Sequence, residues 1–169
     1  MRPYFVAALL SVGVCILALA ALRMDDAAYD RREAPDFTAT TLNGDTVKLA
    51  DLRGKVVVLD FWATWCGPCV AQIPHVKTMV RKFEGKPFVF LGVSVDDEQD
   101  VLRSFVKNQR LSWPIVFDGG QSGPIATEYK VRAYPTVYVI DAQGKIRFRN
   151  RFGSDLETAV ETLLAEAKG

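Results

Sequence analysis

Val56-Val57-Val58-Leu59-Asp60-Phe61-Trp62-Ala63-Thr64-Trp65-Cys66-Gly67-Pro68-Cys69 is the stretch on which the reading of this chain turns. Val56 to Phe61 is a β-branched apolar run interrupted by one acid, the pattern of a central strand buried on both faces. From Cys66 to Phe83 the spacing becomes helical, with Pro74 inside, where a proline is expected to kink the helix. Two cysteines with Gly67 and Pro68 between them can close a small disulfide and reopen it. At a strand-to-helix junction that pair is a redox site rather than a structural staple.

The position of each cysteine sets its expected role. The first N–H groups of a helix lack intrahelical partners, and with the helix dipole they stabilise negative charge. Cys66, as the first helical residue or its cap, is expected to be the exposed thiolate that attacks a substrate disulfide. Cys69, one turn further in, would then attack Cys66 and release the reduced substrate. The competing use of such a pair is half of a zinc site, which needs about two more ligands. His75, on the same helix as Cys69, and Cys15, in a distant apolar segment, are the remaining candidates, so no metal is expected.

Asp60 is the second chemical signal. An aspartate within a buried strand costs free energy unless it has a partner or a role, and burial raises a carboxyl pKa. It is placed to accept a proton from Cys69 during resolution; the plainer alternative is a strand-end aspartate capping a turn. Tyr134-Pro135-Thr136 is the third. Proline is tolerated where a strand opens, and a cis bond there would present the Tyr134 main chain to a ligand. His75 reads as a partly exposed helical histidine, and Asp96-Asp97-Glu98 as a solvated helix start.

Outward from the motif, strands and helices alternate. Phe37–Thr40 and Thr46–Leu49 flank Asn43-Gly44, a hairpin turn signal. Ala50–Arg53 reads as a short turn or helix, Phe88–Val95 as a second central strand, Asp97–Asn108 as a helix and Ile115–Phe117 as a short strand. Pro124–Tyr129 reads as a short helix, and Thr136–Ile140 and Ile146–Arg151 as a strand pair. Ser154–Lys168 is the last helix, with Ser154 and Glu157 as an expected capping box and Leu156, Val160, Leu163 and Ala167 as its buried stripe. The expected fold is α/β: a mixed sheet flanked by helices, with an N-terminal β-hairpin and a central βα insertion.

At 169 residues with a net charge of +1, the chain has room for one substantial core and no electrostatic case for nucleic acid. Tyr4 to Leu22 is an uncharged apolar run of roughly 19 residues, close to the length that spans a bilayer. Arg2 before it favours an inside N-terminus. A signal anchor is favoured over a cleaved signal, for which Ala18-Leu19-Ala20 would be the peptidase site. Cys15 fits an apolar helix residue better than a lipidated one, since Val14 precedes it. The expected division is a signal anchor or signal peptide over 1–24, a linker over 25–34 and a folded domain over 35–169. Either signal places the domain outside the cytoplasm, where disulfides persist.

These residues in this order resemble the thioredoxin superfamily: Asp60-Phe61-Trp62-Ala63, then Trp65-Cys66-Gly67-Pro68-Cys69, Pro74, and Tyr134-Pro135-Thr136. Ala34-Pro35-Asp36-Phe37, Leu42-Asn43-Gly44, Leu52-Arg53-Gly54-Lys55 and Ile140-Asp141-Ala142-Gln143-Gly144-Lys145 are similar to the TlpA-like, or ResA-like, thiol–disulfide oxidoreductases. So is the added segment from about Asp96 to Val131. The resemblance implies a cis Pro135 lying against the dithiol and a Trp65 that shields the site. With Gly67, Pro68 and Tyr134 these residues would meet the substrate. It implies protein disulfides as substrates, in some members those of apocytochrome c, and electrons from a membrane dithiol carrier. The redox-active Cys66–Cys69 disulfide would serve in place of any cofactor.

The chain also departs from that pattern. Gln72 stands where several TlpA-like proteins carry a glutamate, Asp60 where they often carry asparagine, and Gly92 where thioredoxins place a lysine. The peroxiredoxins share the Ala-Pro-Asp-Phe opening, but their cysteine follows Pro-x-x-x-Thr-x-x-Cys. Ala63 and Leu59 stand at the threonine and proline positions before Cys66, so neither cysteine fits. The Gly-Pro dipeptide resembles that of the reducing thioredoxins, with potentials of about −270 mV. The favoured activity is therefore protein-disulfide reduction. A disulfide oxidase or isomerase is the first alternative, and a thiol-binding, chaperone-like module the second.

Overall fold

The computed structural model describes residues 32–167. The expected N-terminal hydrophobic helix and most of the expected linker lie outside them. Among the described residues, no helix is long and apolar enough to cross a membrane.

A six-stranded mixed sheet forms the centre. Its strands are β1 (Arg32–Glu33), β4 (Val56–Trp62), β5 (Phe88–Ser94), β6 (Ile115–Phe117), β7 (Thr136–Ile140) and β8 (Lys145–Arg149), in the spatial order β1-β8-β7-β4-β5-β6. β4, β5 and β6 run parallel, while β7, β8 and β1 pair antiparallel with their neighbours. A separate hairpin of β2 (Thr38–Thr40) and β3 (Thr46–Lys48) joins the sheet through a bridge from Thr41 to Val116. Arg32 and Glu33, expected in the linker, instead form the edge strand β1 against Ile146 and Lys145.

Helices cover both faces. α1 (Gly67–Lys82) connects β4 to β5, α2 (Gln99–Gln109) connects β5 to β6, α3 (Pro124–Glu128) precedes β7, and α4 (Gly153–Glu166) closes the chain. β4 is buried along its length except at Asp60. Its odd residues supply one face, where Phe61 lies 5.4 Å from the Tyr129 ring and 6.1 Å from that of Tyr138. Its even residues, Asp60 and Trp62, supply the other, where Trp62 meets Phe105 of α2 at 5.9 Å. Each fully buried large apolar side chain here contributes about 1.5–3 kcal/mol.

Two expectations about helix ends need correction. Ser154 does not cap α4: Phe152 holds the N-cap position, and no side chain bonds there. Glu157, the expected reciprocal partner, instead reaches α1, where Lys82 Nζ lies 2.7 Å from its Oε2. The buried stripe of α4 is Leu156, Ala159, Val160, Leu163 and Leu164, while Ala167 is exposed at the C-cap. α1 spans Pro74 as one helix.

Candidate active site

The C-terminal end of β4 delivers the chain into α1, and Cys66 is the N-cap of that helix. Gly67 and Pro68 form its first turn, where proline is favoured because its missing N–H would have no intrahelical acceptor. The Cys69 N–H donates to Cys66 Sγ at 3.3 Å, and the two cysteines are joined as a disulfide. A helix N-terminal N–H aimed at the outer sulfur is the donor that a thiolate there would use.

Exposure does not separate the two cysteines. Each is 5% accessible, so Cys66 is as covered as Cys69 and the expectation of an exposed attacking sulfur is corrected. Next to Cys66, Trp65 is 52% accessible, with its ring edge-on to Tyr134 at 5.8 Å. The Tyr134–Pro135 bond is cis. Pro135 lines a small cavity together with Asp60 and Cys69. Asp60, Cys69 and Pro135 therefore converge, and Trp65 and Tyr134 form an aromatic rim.

Asp60 lies beside Gly92 on β5 and Val137 on β7. It is the one partly accessible residue of β4 and lines the cavity behind Cys69. Burial alone pushes its pKa up to about 7, so near neutrality it can hold or release a proton. No side chain comes from Gly92 to compensate the charge. A Cβ there would lie 3.0 Å from Trp62 Nε1 and 3.5 Å from Trp113 Nε1.

Three further residues have partners that the sequence did not show. Asp96 is buried, not part of a solvated helix start. Its carboxylate accepts hydrogen bonds from the Thr64 N–H at 3.1 Å, from Thr64 Oγ1 at 2.6 Å and from Ser94 Oγ at 2.6 Å. It thereby ties the end of β5 to the loop that carries Trp65 and Cys66. The available signal was a polar pair, Ser94 and Asp96, prolonging a strand buried on both faces. Asp118 accepts the N–H groups of Ile125 and Ala126 at 3.0 and 2.8 Å. Burial raises its pKa, and those two bonds oppose the rise. His75 is the partly exposed helical histidine expected, and it also lines the same cavity as Asp60. Among the described residues, no group of three or more His, Cys, Asp or Glu side chains is placed to hold a metal ion.

This sheet, with a dithiol at the junction of its central strand and a helix, defines a thioredoxin-like protein. Residues 31–149 match the AhpC/TSA family, and the chain belongs to that family, among the ResA-like members of the thioredoxin superfamily. It is 36% identical over 115 residues to the thiol-disulfide oxidoreductase ResA of Bacillus cereus, an alignment covering 68% of this chain and 65% of that protein. The chain thus spans just under two thirds of that relative's length. ResA of Oceanobacillus iheyensis is 33% identical over 144 residues, covering 82% of this chain and 74% of that protein. The solved thioredoxin domain of a thiol-disulfide oxidoreductase from Bacteroides vulgatus superimposes with a TM-score of 0.73 at 27% identity, covering 80% of this chain and 97% of that domain.

Proposed function

We propose that this protein is a thiol–disulfide oxidoreductase that reduces protein disulfides through Cys66 and Cys69. The observation that carries the reading is the placement of the pair. Cys66 caps α1 with the Cys69 N–H on its sulfur, while Cys69 faces the inner cavity beside Asp60. The names of the relatives support the same chemistry.

In the reduced enzyme the Cys66 thiolate attacks one sulfur of a substrate disulfide. A Cys66–substrate disulfide forms, and the first substrate sulfur leaves as a thiolate that takes a proton from water. Cys69 then gives its proton to the Asp60 carboxylate and attacks Cys66 Sγ. The Cys66–Cys69 bond forms, and the second substrate thiolate leaves and takes a proton from water. The substrate disulfide gains two electrons and the enzyme dithiol loses two; an external dithiol restores them. Trp65, Gly67, Pro68, Tyr134 and Pro135 form the surface on which the substrate chain rests.

The finer reading places this chemistry outside the cytoplasm, tethered through Tyr4–Leu22, with a membrane dithiol carrier as electron donor. The apolar run and the resemblance to ResA-like proteins support it. Gln72, in place of the acid several such proteins carry, favours a broader substrate range than apocytochrome c alone.

The test is a trap. Cys69→Ser is expected to accumulate a mixed disulfide through Cys66, seen as a reductant-sensitive adduct by mass spectrometry. Accumulation on Cys69 in a Cys66→Ser variant instead would reverse the roles. Failure of wild-type protein to accelerate insulin reduction by dithiothreitol would favour a thiol-binding module.

A further inference from the structure

Behind the dithiol lies a cavity of about 20 Å³ bounded by Asp60, Cys69, Gln72, His75 and Pro135 among apolar side chains. A single water needs ~10–15 Å³ and two to four polar partners. Asp60, Gln72 and His75 supply three. The remaining lining is apolar apart from the sulfur of Cys69, so polar contacts lead from Asp60 toward α1 rather than into the sheet.

His75 is unusual at the outer end of this space. Its side chain is 31% accessible, yet its Nε2 is enclosed. That atom lies 3.3 Å from Glu157 Oε1 on α4 without the alignment of a hydrogen bond. Glu157 is held in turn by Lys82 at 2.7 Å. The imidazole therefore borders the Asp60 cavity, meets a carboxylate and keeps a surface toward solvent. No other described side chain on the lining combines these three contacts.

We propose that His75 is the proton-relay residue of this site: one water held among Asp60, Gln72 and His75 passes the proton that Asp60 takes from Cys69 to the imidazole, and thence to solvent. This rests on the dithiol reading above. The difficulty it resolves is physical. A carboxyl enclosed by apolar side chains must be emptied after each turnover, and direct hydration of the closed site would expose the mixed disulfide. Imidazole can take a proton at one nitrogen and release one at the other. Glu157 Oε1 faces its Nε2 at 3.3 Å. The groups facing the relay are Asp60 from β4, Glu157 from α4 and Lys82 from the end of α1. β5 and β7 contribute the uncharged Phe90 and Val137. The net step is transfer of one proton from the Cys69 thiol to solvent, with Asp60 and His75 each returned to their starting state.

The experiment follows resolution of the mixed disulfide by stopped-flow tryptophan fluorescence between pH 5.5 and 9, using reduced full-length protein and a peptide disulfide. His75→Ala is expected to slow resolution near pH 7 roughly tenfold, less than the ~100-fold or more of a direct acid–base group. Added imidazole is expected to restore the rate, which loss of packing alone would not allow. His75→Gln keeps a polar side chain that does not titrate and is expected to be slow as well, so it carries the test if the alanine variant fails to fold. A wild-type pH profile in His75→Gln, or a slow His75→Ala unaffected by imidazole, overturns the relay. If Cys69→Ser also traps substrate on Cys66, the relay alone has failed. If it traps nothing, the dithiol reading has failed, and the relay with it.

Discussion

Two aspartates approach the dithiol from adjacent parallel strands, and they are opposites. Asp96, beyond the end of β5, is buried and saturated with donors from Thr64 and Ser94. Asp60, within β4, is enclosed among apolar neighbours, and burial is the sole cause that shifts it, from 3.8 to about 7. A buried carboxylate with enough donors is a tie. One without them is a reservoir of unfavourable energy that a proton relieves. The first holds the loop that carries Cys66, and the second serves the step made by Cys69.

The sharpest way to break this contrast is to make the same substitution at both sites. Asp60 holds its proton more tightly folded than unfolded. Its contribution to stability is therefore full below about pH 4, declines as pH rises toward 7, and is gone above that. At about 1.4 kcal/mol per pH unit, the ionised acid costs the folded state up to ~4 kcal/mol at pH 8. Asp60→Asn is expected to remove that cost. Calorimetry should show a higher Tm than wild type at pH 8 and little difference at pH 4. A Tm gain that is equal at both pH values would mean that charge burial is not the cause.

Asp96→Asn should move stability the other way. It replaces a charged acceptor by an amide whose NH₂ faces donors, at a cost of about 2 kcal/mol. For a domain of this size that lowers Tm by roughly 4–8 °C. A stabilised Asp96→Asn would erase the distinction between the two acids. The smallest effect is expected from Thr64→Val, which deletes one donor to Asp96 and keeps the backbone N–H, for about 1 kcal/mol in urea denaturation. A loss as large as that of Asp96→Asn would place the whole tie in the hydroxyl.

The strand-to-helix motif was legible because everything that defines it is local: a doubly buried run, then a cysteine pair, then helical spacing. Asp60 was legible for the same reason, as an acid among hydrophobes. Asp96, His75 and Glu157 were not, because their meaning lies in partners from other elements. Asp96 sits in an acidic run that reads as a solvated helix start until Thr64 is seen folding onto it. Glu157 falls three residues after a serine at a helix start and mimics a capping box. The helix begins two residues earlier than that pattern implies, and the carboxylate turns to His75 and Lys82. The exposure assigned to Cys66 failed likewise: at the N-cap of α1 it is as buried as Cys69, and only the folded chain shows which residues close around it.

Gly92 bears on how such a site can change over evolutionary time. Its missing side chain leaves volume that two indoles already border, Trp62 at 3.0 Å and Trp113 at 3.5 Å from where a Cβ would stand. Any side chain introduced there would press its Cβ against the Trp62 indole, which would have to shift to make room. A counter-charge brought to the acid from this position on the sheet therefore comes only together with a shift of the Trp62 ring.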